Sequence, residues 1–321
     1  MLITTLDKIV GQPRAVDLLS RSLENNNISH AYLFTGPPGV GKMTAALAFA
    51  RAIIAKGDQD ADLFFEQGLH PDLLVIEVPE GNSFILKEQI SKELIPWIGV
   101  KPFRAKHRVV IIKDSQLMRA ESANALLKTL EEPPAYGVII LCSDVDAIME
   151  TIISRCQIVR FYNLAQEIVT SFLVSGGVEE LKAYRAALLS QGNLELAEKF
   201  SRQDNEEQLW ELAGQSITLL AGSERLAIFD TADRIKENLE LMAGMMETIL
   251  RDVMVYKQTG QSDLLIIPQN RTLADSLPPL DYNRARQALE RIRVLKAYMH
   301  YFLNKSLISI HIAREIYQVW Q

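Results

Sequence analysis

Gly36-Pro37-Pro38-Gly39-Val40-Gly41-Lys42 has the residue types and spacing of a phosphate cradle. It reads G-x-x-x-x-G-K, between an apolar run, Ala31 to Thr35, and an Ala/Leu-rich segment with helical spacing, Lys42 to Ala55. Glycines let backbone N–H groups turn inward around phosphate oxygens. The helix start adds partial positive charge, and the lysine adds a full one that reaches the β- and γ-phosphates. A ligand-free Gly/Pro turn is the alternative, and the strand–loop–helix setting opposes it. The nucleotide contacts expected are Gly36, Pro37, Gly39, Val40, Gly41, Lys42, Met43 and Thr44. The ligand expected is ATP or ADP.

The chemistry beyond binding is incomplete. The position after the lysine calls for Ser or Thr, whose hydroxyl ligates Mg²⁺; here it is Met43. A thioether is a poor ligand for a hard cation. Thr44 follows about 100° further round the helix and does not substitute. A second apolar strand should end in Asp-Glu, the Asp holding the metal and the Glu polarising water. The matching stretch is Val109-Val110-Ile111-Ile112-Lys113-Asp114, with Lys113 in the Asp slot and Asp114 in the Glu slot. An ammonium there repels Mg²⁺ or partly replaces its charge. Sliding the register by one residue would send Asp114 to the other face of the strand.

Several elements must position these residues. Apolar runs at Ala31–Thr35, Asp72–Glu77, Arg108–Ile112, Gly137–Cys142 and Gln157–Phe161 alternate with helical patterns, including Ala120 to Leu130, which Pro133-Pro134 stops. This predicts an α/β domain with a parallel sheet covered on both faces. After Phe161 the pattern is helical, with Ile266 to Pro279 expected as a loop because it holds Pro268, Pro278 and Pro279. The length of 321 residues allows two or three domains. Lys and Arg number 34 against 40 Asp and Glu, spread evenly between the halves, which excludes a basic nucleic-acid-binding domain. Two cysteines, Cys142 and Cys156, exclude a disulfide framework and a four-cysteine zinc site. Neither a leader pattern nor a long apolar run occurs, so a cytoplasmic protein without a membrane partner is expected.

The sequence resembles the AAA+ clamp-loader family. The blocks that carry the resemblance are His30 to Lys42, His70-Pro71-Asp72, Asn124-Ala125-Leu126-Leu127-Lys128-Thr129-Leu130-Glu131-Glu132-Pro133-Pro134 and Ser154-Arg155-Cys156. They cover about 160 residues closely; the rest resembles the family in length and helical character. Counting eleven residues back from Asn124, the family's spacing for the metal-holding Asp, lands on Lys113.

The resemblance implies that Arg155 is an arginine finger, delivered across a subunit interface to a neighbour's ATP. A guanidinium there stabilises charge on the transferring phosphoryl group. It implies that Val10 and Gly11, in Ile9-Val10-Gly11-Gln12, pack on the adenine. Ser143 keeps a hydroxyl at the sensor-1 position, before Asp144. Glu195 replaces the sensor-2 arginine in Gly192-Asn193-Leu194-Glu195, where a carboxylate repels phosphate. The family's zinc module would lie before His70, and the absence of cysteines from Ala55 to Leu69 predicts no zinc. Lys113, Asp114, Ser143 and Glu195 are thus degenerate catalytic positions, while Arg155 is kept.

The implied organisation is a P-loop domain over 1–162, a helical lid over 163–210 and a helical collar over 211–321. The implied partners are gamma/tau motor and delta subunits in a hetero-pentamer, with the sliding clamp and primed DNA reached through the complex. Weak hydrolysis by this chain, with poor support for Mg²⁺, follows from the lost positions; an active gamma/tau-type motor is the alternative. Two basic groups have competing readings. Lys101, Arg104, Lys106, His107 and Arg108 read as a solvated loop rather than a DNA contact. Arg284, Arg286, Arg291, Arg293 and Lys296 read as the outer face of a packed helix, exposed or interfacial rather than a nucleic-acid site. His30 reads as structural, Cys156 as a packed thiol and Met242 to Met246 as helix packing.

Overall fold

Five apolar runs become strands: β1 Ala31–Thr35, β2 Leu73–Ile76, β3 Arg108–Ile112, β4 Gly137–Ser143 and β5 Gln157–Arg160. They form one parallel sheet in the order β2–β3–β4–β1–β5. Every residue of β1 and β4 is buried, because these strands lie inside the sheet; the edge strands β2 and β5 are partly exposed. The structure is a computed structural model that describes residues 6, 8–66, 68, 70–144, 148–203, 205–222, 224–299 and 304–321. It divides into two units, Met1–Ser201 and Arg202–Gln321.

In the first unit the helices are α1 Pro13–Glu24, α2 Lys42–Ala55, α3 Ala61–Glu66, α4 Ile95–Ile98, α5 Ala120–Glu131, α6 Glu150–Ile153, α7 Gln166–Ser175, α8 Glu180–Ser190 and α9 Leu194–Ser201. The twofold alternation of strand side chains builds two cores. Tyr32, Phe34, Ile111 and Ile140 face Ala45, Phe49 and Ile53 of α2. Leu33, Val110, Ile139 and Leu141 face Ala123, Leu126 and Leu130 of α5. Tyr32 meets Phe49 edge to face at 5.0 Å between ring centres. A π-helical stretch, Gln89–Leu94, leads into α4 and adds Ile90 and Leu94 to the second core.

A buried ionic knot braces the edge next to α3. Asp58 accepts from Arg104 through both oxygens (2.6 and 3.0 Å) and lies 3.3 Å from His70 Nε2. His70 Nδ1 accepts from the Asp72 N–H, so the ring proton sits on Nε2 and points at Asp58. Asp72, fully buried, accepts from the N–H groups of Phe103, Arg104 and Ala105. Arg104 holds the Asp58 carboxyl down at about 2. The Arg108 guanidinium packs 4.4 Å from the Trp97 ring. Arg104 and Arg108 therefore serve the fold, and Lys101 and Lys106 are exposed.

The second unit contains α10 Glu206–Leu220, α11 Ala227–Ile235, α12 Leu239–Thr259, α13 Asn270–Ser276, α14 Tyr282–Tyr298 and α15 Lys305–Tyr317. Met242, Met245 and Met246 are buried along α12. The segment Ile266 to Pro279, expected as a loop, carries α13. The cause is Asp252 of α12, fully buried, which accepts from the N–H groups of Ile266 and Ile267 and from Asn270 Nδ2, each at 2.9 Å. These bonds fix the chain entering α13, so a helix forms in spite of the flanking prolines. Arg293 and Lys296 of α14 hold the buried Glu247 at 2.7 and 3.0 Å. Burial pushes the Glu247 carboxyl up, and these two cations outweigh it and bring it down. No helix among the described residues is long and apolar enough to cross a membrane.

Candidate functional site

The P-loop joins the C-terminal end of β1 to α2. Gly36 has φ +151, and a Cβ there would lie 2.2 Å from the Phe161 carbonyl oxygen. At Gly39, φ +67, a Cβ would lie 1.8 Å from Asn193 Oδ1. Both sites need glycine for backbone shape and for close approach. Asn193 caps α9, accepting from the Leu196 N–H at 2.9 Å, and the Leu194 N–H donates to the Gly39 carbonyl at 2.9 Å. The start of α9 is thereby bonded to the crown of the loop.

Lys42 is only 6% exposed, and its ammonium points back into the loop. It donates to the Gly36 carbonyl at 2.7 Å and to the Pro37 carbonyl, and it pairs with Asp144 Oδ1 at 2.8 Å. The Lys42 charge is therefore already met by an internal carboxylate and two carbonyls. Asp144 follows β4, and its N–H donates to Gln116 Oε1 at 3.2 Å. Gln12, 3% exposed, donates to the Tyr162 carbonyl at 2.7 Å and to the Val40 carbonyl at 3.4 Å. This fastens Val10 and Gly11 beside the loop; a Cβ on Gly11 would lie 2.4 Å from Leu164 Cδ2.

The donor set does not fit Mg²⁺. Met43 packs against the apolar core and Thr44 is exposed. Lys113 turns outward, 45% exposed, and lies 3.7 Å from Glu77 Oε2. Asp114 adopts a left-handed backbone (φ +50) and opens a 3₁₀ turn, Ser115–Leu117. Burial, and then Asp144 nearby, push its carboxyl upward. Ser143 is fully buried at the end of β4, and its carbonyl accepts from the Gly36 N–H at 3.3 Å. Glu195 is exposed in the first turn of α9, where a carboxylate suits the helix dipole.

Arg155 lies elsewhere. It precedes β5, whose Gln157 is level with Tyr32 near the start of β1. About 13 Å of strand separates that level from the P-loop. The guanidinium is 33% exposed. It donates to Glu131 Oε1 at the end of α5, to the Thr151 carbonyl at 2.8 Å and to Ser154 Oγ at 3.3 Å. An exposed pair of this kind is worth about 0–1 kcal/mol, so Glu131 holds the side chain without locking it. Burial pushes both thiols, Cys142 and Cys156, up to about 12, which leaves them un-ionised at neutral pH.

The structure thus gathers Lys42, Asp114 and Ser143 at one end of the sheet and leaves Lys113, Glu195 and Arg155 outside that group. Sequence reasoning missed Asp144, Asn193 and Glu131 as contacts of functional positions. Asp144 and Asn193 adjoin or lie within the sensor segments, and Glu131 lies in the Glu-Glu-Pro-Pro block, so the signal was adjacency to a motif.

Residues 11–165 match the family described as DNA polymerase III, delta subunit. The delta-prime subunit of Bacillus subtilis DNA polymerase III is 31% identical over 273 residues, 79% of this chain and 80% of that protein. The gamma subunit from Buchnera aphidicola of Acyrthosiphon pisum is 33% identical over 174 residues, 51% of this chain and 47% of that protein. A gamma subunit-related protein of Thermotoga maritima shares the fold, with a TM-score of 0.51 at 18% identity, covering 94% of this chain and 99% of that one. With its P-loop, parallel sheet and trailing helices, the chain belongs to the DNA polymerase III delta-prime family of AAA+ clamp-loader subunits.

Proposed function

We propose that this chain is the non-firing subunit of a clamp loader. It completes a neighbour's ATPase site with Arg155 and so helps load the sliding clamp onto primed DNA. The observation that carries this reading is the separation of the two ends of the sheet. Arg155 stands about 13 Å of strand away from its own Lys42, so its guanidinium serves a phosphate held by another subunit. Glu131 and the Thr151 carbonyl keep the side chain poised, and the phosphoryl charge of the neighbour's ATP takes the place of Glu131.

Its own P-loop binds ATP or ADP weakly, without needing Mg²⁺, and hydrolyses it poorly. A phosphate reaching Lys42 must displace Asp144 from the ammonium. Met43 and Lys113 supply no metal ligand, and Glu195 supplies no cation. Residues 1–162 form the nucleotide-fold domain, 163–210 the lid and 211–321 the collar through which the chain joins gamma/tau and delta subunits in a pentamer in the cytoplasm. The test is reconstitution with those subunits. Arg155→Ala should depress DNA-stimulated ATP hydrolysis, while the isolated wild-type chain should show almost none. Unchanged hydrolysis in the Arg155→Ala complex, or motor-like turnover by the isolated chain, would overturn the reading.

A further inference from the structure

In the second unit, the segment before α11 together with α14 and α15 walls a half-open cavity of about 810 Å³, lined by Arg225, Arg284, Arg291 and Arg314. That volume lies in the class of small-ligand sites, about 300–1,000 Å³. Helical spacing explains the convergence. Arg284, Gln287 and Arg291 stand at i, i+3 and i+7 on one face of α14, flanking the buried stripe of Ala285, Ala288 and Ile292.

The charges in the cavity do not balance. Arg291 holds Glu315 at 2.8 Å, and Arg284 lies 3.8 Å from Asp281. Arg225 and Arg314 have no carboxylate partner among the described residues. The unit as a whole carries 14 Lys and Arg against 16 Asp and Glu, so this positive charge is local, set in an acidic surround. Two unmatched guanidinium groups in one concave space call for a dianion, and the forked donors of arginine match phosphate oxygens in pairs. A single carboxylate lacks that charge density. The Gln287 amide adds a neutral donor and acceptor at the same wall, while the Gln321 amide nitrogen donates to the Gly222 carbonyl at 3.2 Å.

We propose that this cavity is a second phosphate-binding site, independent of the P-loop. Its ligand carries adjacent phosphate groups, in a free polyphosphate or nucleotide or in consecutive phosphodiesters of single-stranded DNA. The site goes beyond the clamp-loader reading and rests on a different unit of the chain.

The test uses the full chain with pyrophosphate, measured by calorimetry, and a fluorescent dT12 oligonucleotide, measured by anisotropy. Both probes should still bind the Lys42→Ala protein, in which the P-loop no longer adds phosphate binding of its own. Both should bind the Arg225→Gln/Arg314→Gln protein at least about tenfold more weakly, and more weakly still as salt rises from about 50 to about 200 mM. Unchanged thermal melting shows that the double variant folds; should it melt early, Arg225→Lys/Arg314→Lys keeps the charge and loses the forks, and an intermediate weakening is expected. dT12 binding above that of pyrophosphate assigns the site to DNA, and equal or weaker dT12 binding assigns it to a free polyphosphate. Binding abolished by Lys42→Ala, binding indifferent to the arginine variants, no binding of either probe, or equally tight binding of a glutamate oligomer of matched charge would each overturn the proposal. Arg155→Ala leaves this binding intact, which separates its failure from that of the proposed function.

Discussion

The two ends of the sheet treat their key cation in opposite ways. At the C-terminal end, Lys42 is 6% exposed and surrounded by Gly36, Pro37 and Asp144 of its own chain. At the N-terminal end, Arg155 is 33% exposed and held by a surface carboxylate. Burial multiplies the strength of an ion pair and lengthens its exchange, whereas solvent screens it. One cation is therefore committed within the subunit and the other is on offer. On the proposed reading, a subunit without metal ligands around the first can still use the second, because the strand between them keeps the two positions apart.

That contrast can be broken experimentally. Arg155→Ala should cost about 10²–10³ in turnover at the neighbouring site, the usual loss for one positioned transition-state donor. Single-turnover ATP hydrolysis by the reconstituted complex measures it, and a loss below about threefold would contradict the exposed end's role. Asp58→Asn tests the frame common to both ends. It removes the charge that Arg104 holds and should lower stability by about 2–3 kcal/mol, read from urea unfolding. The same pair sets an acid limit. Because the folded Asp58 carboxyl lies at about 2, below its ordinary 3.8, its stabilisation is full above 3.8 and vanishes as pH falls through about 2. Acid unfolding of Asp58→Asn should lack that component.

Asp144→Asn sharpens the other side. Releasing Lys42 from its carboxylate should tighten ATP binding by roughly tenfold, about the worth of one charge-assisted hydrogen bond, with or without Mg²⁺. Calorimetry checks it, and unchanged affinity would mean that Asp144 does not compete with phosphate. The smallest effect is expected for Lys42→Ala in the assembled complex. DNA-stimulated hydrolysis should stay within about twofold of wild type, the mirror image of the Arg155 result.

Much of this arrangement was legible in the sequence because its determinants are local. The P-loop is a run of seven residues, the strands are continuous apolar runs, and Met43 and Lys113 differ from oxygen ligands by type alone. What escaped depends on partners far apart in the chain. Asp58 and Arg104 are 46 residues apart, and Asp144 meets Lys42 across neighbouring strands. No periodicity announces such pairs. The α13 helix shows the same limit: Asp252, 18 residues before Asn270, overrides the proline-rich composition that argued for a loop. Short elements such as α3 and the π-helical Gln89–Leu94 carry too few residues for a pattern to emerge.

The two thiols, Cys142 buried and Cys156 half-buried, have a practical consequence for anyone who wishes to watch this subunit move. With both pushed up to about 12, neither thiol ionises appreciably at neutral pH. Maleimide dyes react with thiolates, so the native chain is close to blank for such labels. A cysteine introduced on the exposed surface beside Arg155 would be tagged selectively, without first removing Cys142 or Cys156. The chain's own chemistry thereby provides a quiet background for fluorescence measurements that test whether Arg155 approaches a neighbouring subunit.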